Sequence, residues 1–239
     1  MLQLKTLNKK VLEYSVMNNS INSMIDTIEK KTLYNGTYTG RRAIDQRIII
    51  AMRDVDRALY VPSYIKEQAY FDSPLPIGYG QTISQPYIVA LMTDLADTSE
   101  DSIVLEVGTG SGYQAAILSR LVKQVYSIEN IPALANACRQ NFHEIGYDNI
   151  EVLCSNGYFG WQEKAPFDAI IVTAAASHIP PSLIEQLKPA GKMVIPIGEP
   201  LMPQKLMLVS KDENCNTNIK SIIPVSFVPL IVDETEVAN

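Results

Sequence analysis

Cysteine is scarce in this chain of 239 residues: Cys138, Cys154 and Cys215 are the whole set, and no two stand in C-x-x-C spacing. That suggests neither a disulfide framework nor a zinc cage. Histidine is scarcer, with only His143 and His178. Triad-type hydrolysis and metal catalysis therefore find little support, and no metal is expected. Positive charge is in deficit, 20 Lys and Arg facing 26 Asp and Glu for a net charge of −6. Without a basic field, nucleic acid and anionic membrane surfaces are not expected partners, and a small or peptidic substrate fits better. No apolar run approaches the roughly 20 residues of a membrane span. The first residues lack the charged and apolar regions of a signal peptide, so a cytoplasmic protein is expected. Repeats are absent, and the 46% apolar content can bury one substantial core.

What is present centres on Ser102 to Tyr113. A short apolar run, Ile103 to Val107, is broken by Glu106 and leads directly into Gly108, Gly110 and Gly112, with Gln114 to Leu121 reading as a helix behind them. Alternate glycines let the backbone turn tightly and approach a ligand, and the helix start offers free N–H groups. The spacing is G-x-G-x-G, not the G-x-G-x-x-G of dinucleotide sites, and an acid stands two residues before the first glycine. This favours S-adenosylmethionine over NAD, although such a turn can also be purely structural.

Along the rest of the chain, residues 1–40 read as a polar extension with a weakly helical stretch that puts Ile21, Met24, Ile25 and Ile28 on one face. It is expected to dock on the body or to aid dimerisation. Ala43 to Leu59 has helical periodicity and is closed by Pro62. Tyr70 to Pro86 reads as an irregular loop with glycines, prolines and hydroxyl or amide groups; such a loop is uncommon unless functional. A helix follows from Tyr87 to Leu95. Strands are expected at Gln124–Ile128, Ile150–Cys154, Phe167–Thr173, Lys192–Ile197, Lys205–Val209 and Ile219–Leu230, with helices from Pro132 to Ile145 and from Pro181 to Leu187. Strand and helix alternation makes this a doubly wound α/β sheet over residues 41–239, with the ligand across the carboxyl ends of the central strands. Glu129, followed by Asn130, ends the strand Gln124–Ile128 about 20 residues past the glycines, where a carboxylate can hold a ribose diol. Asn156 and Gly157 fall on the same edge. His143 reads as a surface residue, His178 as a loop residue near that edge, and Trp161 as packing.

Three segments carry a resemblance: Ser73 to Gly78 (SPLPIG) with Gly80 to Pro86 (GQTISQP), Leu105 to Tyr113 (LEVGTGSGY), and Phe167 to Ala175 (FDAIIVTAA). Together they resemble the protein-L-isoaspartate O-methyltransferases, over about Gly40 to Leu230, ending in Phe227 to Leu230 (FVPL). The resemblance implies a Rossmann-like sheet of the class I S-adenosylmethionine-dependent methyltransferase type with an N-terminal helical extension. It implies methyl transfer from S-adenosylmethionine to the free α-carboxylate of L-isoaspartyl residues in damaged proteins and peptides, with repair through a succinimide. Ser84 would orient the substrate carboxylate, without acting as a covalent nucleophile. Gln81, Thr82 and Ile83 would line the same cleft, and Gly108, Thr109, Gly110 and Ser111, with Glu106 before them, would face the methionine end of the cofactor. Glu129 and Asn130 would hold the ribose, and Asn156 with Gly157 would meet the adenine. A carboxylate with an ordinary pKa near 4 is already ionised at neutral pH, so the nucleophile needs no general base.

One residue departs from the family pattern, Asn156 standing where an aspartate is usual. An amide accepts from an adenine amino group less strongly than a carboxylate, so cofactor binding weaker by about 1 kcal/mol is expected. Two other readings remain beside repair: a methyltransferase recruited to one peptide or small carboxylic acid, and a non-catalytic module that binds cofactor weakly. A monomer and a homodimer are both compatible with the sequence.

Overall fold

The computed structural model describes residues 2–199 and 202–231, and side chains from residue 20 onward. Residue 1 and residues 232–239, the ends of the two expected units, lie outside the described residues.

The chain opens with a long helix, α1 (Leu2–Thr39). Ile21, Met24, Ile25 and Ile28 are buried along one of its faces, in the same apolar cluster as α2 (Gln46–Asp54) and α3 (Pro86–Ala96). The single helix expected over 43–59 is split. Asp45 caps α2 by accepting from Arg47 N at 2.8 Å, and Val55 is extended. Asp56 then caps a 3-10 turn, Arg57–Tyr60, by accepting from Ala58 N at 2.9 Å. An aspartate that bonds a backbone amide two residues on restarts a helix and does not continue one.

The irregular loop expected over 70–86 contains a hairpin, β1 (Leu75–Gly78) and β2 (Gln81–Ile83). Its tip, Tyr79-Gly80, has φ of +54° and +72°, the two-positive-φ turn whose twist matches antiparallel strands. A tyrosine in that conformation is rare, so residue preference did not announce the turn.

The sheet consists of β3 (Ile103–Val107), β4 (Gln124–Glu129), β5 (Ile150–Cys154), β6 (Phe167–Val172), β7 (Leu187–Ile197), β8 (Gln204–Lys211) and β9 (Thr217–Val225). Their order is β5-β4-β3-β6-β7-β8-β9, parallel from β5 to β7 and antiparallel at β7-β8 and β8-β9. The connecting helices are α4 (Tyr113–Ser119), α5 (Pro132–Ile145) and α6 (Pro181–Glu185). One apolar layer packs α1 to α5 on one face and another packs Trp161, Leu183 and Leu187 on the other. Central strands such as β6 are therefore apolar on both sides.

The strand expected over 219–230 ends at Val225. Buried Gln204 grips the next turn from both sides, accepting from Phe227 N at 2.6 Å and donating to Phe227 O at 3.1 Å. The chain then leaves the sheet and crosses Ala175, whose N donates to Val228 O at 2.8 Å and whose O accepts from Leu230 N at 2.7 Å.

Candidate functional site

Strand order runs outward in opposite directions from β3 and β6, so the ends of these two strands form the switch point where open α/β sheets leave a crevice. Here β3 runs into Gly108, Gly110 and Gly112, with φ of +100°, +54° and +89°. Two of these glycines are also required by space. A Cβ on Gly108 would lie 2.4 Å from Thr173 Oγ1, and one on Gly112 would lie 2.6 Å from the Phe142 ring. Thr173 closes the turn from β6, donating to Gly108 O at 2.6 Å.

Glu129, at the end of β4, anchors the same turn. Its Oε2 accepts from Gly110 N at 2.8 Å and its Oε1 from Ile131 N at 2.9 Å. The acid is thus held in one rotamer facing the crevice, with lone pairs to spare.

Glu106 lies deeper, fully buried. Ser127 Oγ donates to its Oε2 through a short bond, and Thr109 Oγ1 lies 2.6 Å from Ser127 Oγ. Its Oε1 has no hydrogen-bond partner. Burial raises the Glu106 pKa to about 8, against the Ser127 bond, with the Glu129 charge adding to the rise. Cys138, whose thiol donates to Gly110 O at 3.1 Å, is pushed up to about 12 by burial and is inert as a nucleophile at neutral pH.

A cavity lies over this edge. It is lined by Gln81, Thr82, Ile83 and Ser84 of the hairpin, by Glu106, Gly108, Thr109, Gly110 and Ser111, by Glu129 and Asn130, and by Gly157. Every expected site residue is therefore brought to one cavity except Asn156. The Oδ1 of Asn156 accepts from Tyr158 N at 3.0 Å and caps the 3-10 turn Gly157–Phe159, outside the lining. A Cβ on Gly157 would sit 2.4 Å from Val107 Cγ1, so a larger residue there would push into the floor.

Several lining residues were not anticipated. Tyr113 and Gln114 come from the start of α4, Thr173 and Ala174 from the end of β6, and Val228 to Ile231 from the segment peeled off β9. Tyr113, Thr173, Ala174 and Val228 to Leu230 lay inside quoted family segments, whereas Gln114 and Ile231 carry no local sign.

A second cavity adjoins the first, between the hairpin and the end of β9. Pro74, Ile88, Pro224 and Phe227 give it apolar walls, and Thr82, Ser84 and Thr173 belong to both cavities. No Lys, Arg or His is among the described residues lining either one.

A family model for Protein-L-isoaspartate(D-aspartate) O-methyltransferase matches residues 29–235. The chain belongs to that family. Among curated relatives, a protein-L-isoaspartate O-methyltransferase 2 of Syntrophobacter fumaroxidans is 54% identical over 207 residues, 87% of this chain and 84% of that one. Another of that name from Polaromonas is 53% identical over 87% of this chain and 98% of its own. Among solved structures, a protein from Plasmodium falciparum described as a protein-L-isoaspartate O-methyltransferase, in complex with S-adenosyl-L-homocysteine, superposes with a TM-score of 0.69. It is 30% identical over 85% of this chain and 98% of that chain. The fold is that of the class I methyltransferases, as read from the sequence. No helix among the described residues is long and apolar enough to cross a membrane.

Proposed function

We propose that this chain transfers a methyl group from S-adenosylmethionine to the free α-carboxylate of L-isoaspartyl residues in damaged proteins and peptides, the first step of repair through a succinimide. The observation that carries the reading is Ser84, which lines both cavities at their junction.

The first cavity suits the cofactor. The orphan Oε1 of Glu106 leaves a polar atom for a ligand to meet, and Gly108 and Gly157, where Thr173 Oγ1 and Val107 Cγ1 leave no room for a Cβ, bring bare backbone to the cavity. In this reading Gly108, Thr109, Gly110, Ser111 and Glu106 hold the methionine end, Glu129 and Asn130 the ribose, and Gly157 the adenine, with Asn156 setting the turn behind it. Bound S-adenosylmethionine supplies an electrophilic methyl group. The chain's own residues do the rest. Gln81, Thr82, Ile83 and Ser84 form the wall between cofactor and substrate, and the Ser84 hydroxyl orients the carboxylate. Pro74, Ile88 and Phe227 hold the flanking peptide and exclude water. Orienting two reactants in this way can supply roughly 7–11 kcal/mol of a barrier, and an ionised carboxylate needs no base. The reading places the methyltransferase domain at residues 41–239, the polar extension at 1–40, and the protein in the cytoplasm.

The test is incorporation of label from S-adenosylmethionine into an isoaspartyl peptide, with the matched aspartyl peptide as control. Labelling of the isoaspartyl form alone is expected. Equal labelling of both, or of neither, contradicts the substrate assignment, and loss of S-adenosylhomocysteine binding in calorimetry contradicts the cofactor assignment.

A further inference from the structure

Arg57 is fully buried, yet it has no carboxylate partner among the described residues. Burying a charge is costly unless it is paired, and a guanidinium in a protein interior usually faces an acid. Here Nε donates to Ala69 O at 2.7 Å and Nη2 to Ser84 O at 2.8 Å. The guanidinium carbon stands 4.8 Å from the ring centroid of Tyr113, and Nη1 has no hydrogen-bond partner. The neighbouring acids are engaged elsewhere. Asp56 accepts from Ala58 N and Tyr70 Oη, and Asp72 from Lys31, Gln85 and Tyr87 N. Burial lowers the Arg57 pKa to about 10, against the pull of Tyr113 and Asp72, so the side chain remains a cation at neutral pH.

Its location gives that unpaired charge a use. Ser84 is the junction of the two cavities, and Tyr113, under the guanidinium, lines the cofactor cavity. Neither cavity has a basic residue among its described lining residues, and the acid Glu129 stands on the cofactor side. An anionic substrate entering beside Ser84 would otherwise meet a negative field in a chain of net charge −6.

Resting on the function proposed above, we propose that Arg57 is a positioning residue for the methyl acceptor: it clamps the Ser84 backbone from behind and gives the carboxylate subsite the positive charge that its lining lacks. A buried arginine kept for packing would hold Ala69 and Ser84 equally well, so the test must separate the two roles.

Two variants do so. Arg57→Lys keeps the charge but cannot hold both carbonyls in one planar fork, and Arg57→Met removes the charge at similar length. Each is measured for isoaspartyl-peptide kcat and KM, S-adenosylhomocysteine affinity by calorimetry, and melting temperature. Inhibition is also measured with an isoasparaginyl peptide, which carries a neutral amide in place of the substrate carboxylate. Arg57→Lys is expected to lose about tenfold or more in kcat/KM while S-adenosylhomocysteine affinity stays within about threefold. In Arg57→Met the preference for carboxylate over amide peptide is expected to collapse to about threefold or less. If Arg57→Met does not fold, Arg57→Lys decides alone. Unchanged kcat/KM in Arg57→Lys, or equal losses in peptide turnover and S-adenosylhomocysteine affinity, overturns the proposal. A wild type that labels no isoaspartyl peptide overturns the functional reading and this proposal with it, whereas a labelled wild type with indifferent variants overturns this proposal alone.

Discussion

Glu129 Oε2 accepts a hydrogen bond from Gly110 N at 2.8 Å, so the acid that ends β4 also holds the glycine turn that follows β3. The two strand ends are neighbours through the parallel β3-β4 ladder, which brings residues 19 apart in sequence into one anchored edge. A ligand at this edge meets a turn already fixed by the carboxylate.

Glu129→Ala removes that anchor together with the proposed ribose contact. Bonds to a charged group are worth about 1.5–3 kcal/mol each, so S-adenosylhomocysteine affinity is expected to fall by about 100-fold. Calorimetry checks it, and an affinity within about threefold of wild type would remove Glu129 from the site.

Ser84→Ala should separate turnover from cofactor affinity. The hydroxyl is assigned to the substrate, so kcat/KM for an isoaspartyl peptide is expected to fall by about 10- to 100-fold while S-adenosylhomocysteine affinity holds. Parallel losses in both measurements would contradict the role.

Glu106 makes stability depend on pH. Its folded pKa of about 8 lies above the ordinary 4.5, because burial disfavours the charged form. Below the ordinary value both folded and unfolded chains are protonated. As pH rises between the two values the unfolded chain loses its proton first, so stability falls through this window. Thermal melts of the ligand-free protein at pH 5.5 and pH 8 should show this fall, and Glu106→Gln, neutral and similar in shape, should flatten it. An unchanged slope in the variant would show that Glu106 is not the group responsible.

Gly108 and Gly110 should differ in their tolerance of a methyl group. Both have positive φ, which costs a non-glycine residue about 1–2 kcal/mol. A Cβ on Gly108 also meets Thr173 Oγ1 at 2.4 Å, whereas one on Gly110 finds Ile77 at an ordinary 3.5 Å. Gly108→Ala should therefore lower the melting temperature clearly more than Gly110→Ala, and a reversed order would show that the turn is held otherwise.

Asn156→Asp keeps the side-chain acceptor that caps the Gly157–Phe159 turn. If the residue also faces the adenine, affinity should tighten by about fivefold, equivalent to about 1 kcal/mol. No change would count against an adenine contact and leave Asn156 its capping of the Gly157–Phe159 turn.

What could be read in advance was local. Ile103 to Gly112 announced strand and glycine turn, Glu129 announced a strand-end acid, and the GQTISQP segment marked Ser84 through resemblance. Arg57 was not legible, because an arginine in an amphipathic run reads as solvated until the fold encloses it. Nor was the role of Gln204, whose clamp on Phe227 acts across 23 residues and turns the last segment away from the sheet.

Periodicity and glycine spacing, which depend on neighbours along the chain, determined by themselves the α/β alternation and the strand ends that carry the site, and the quoted segments indicated the family by resemblance. The tertiary structure alone decided how the hairpin meets the segment beyond β9, which acid anchors which turn, and that a buried cation stands behind Ser84. Those relationships are set by the order and twist of the strands and by what burial does to charge, and both exist only once distant segments have packed together.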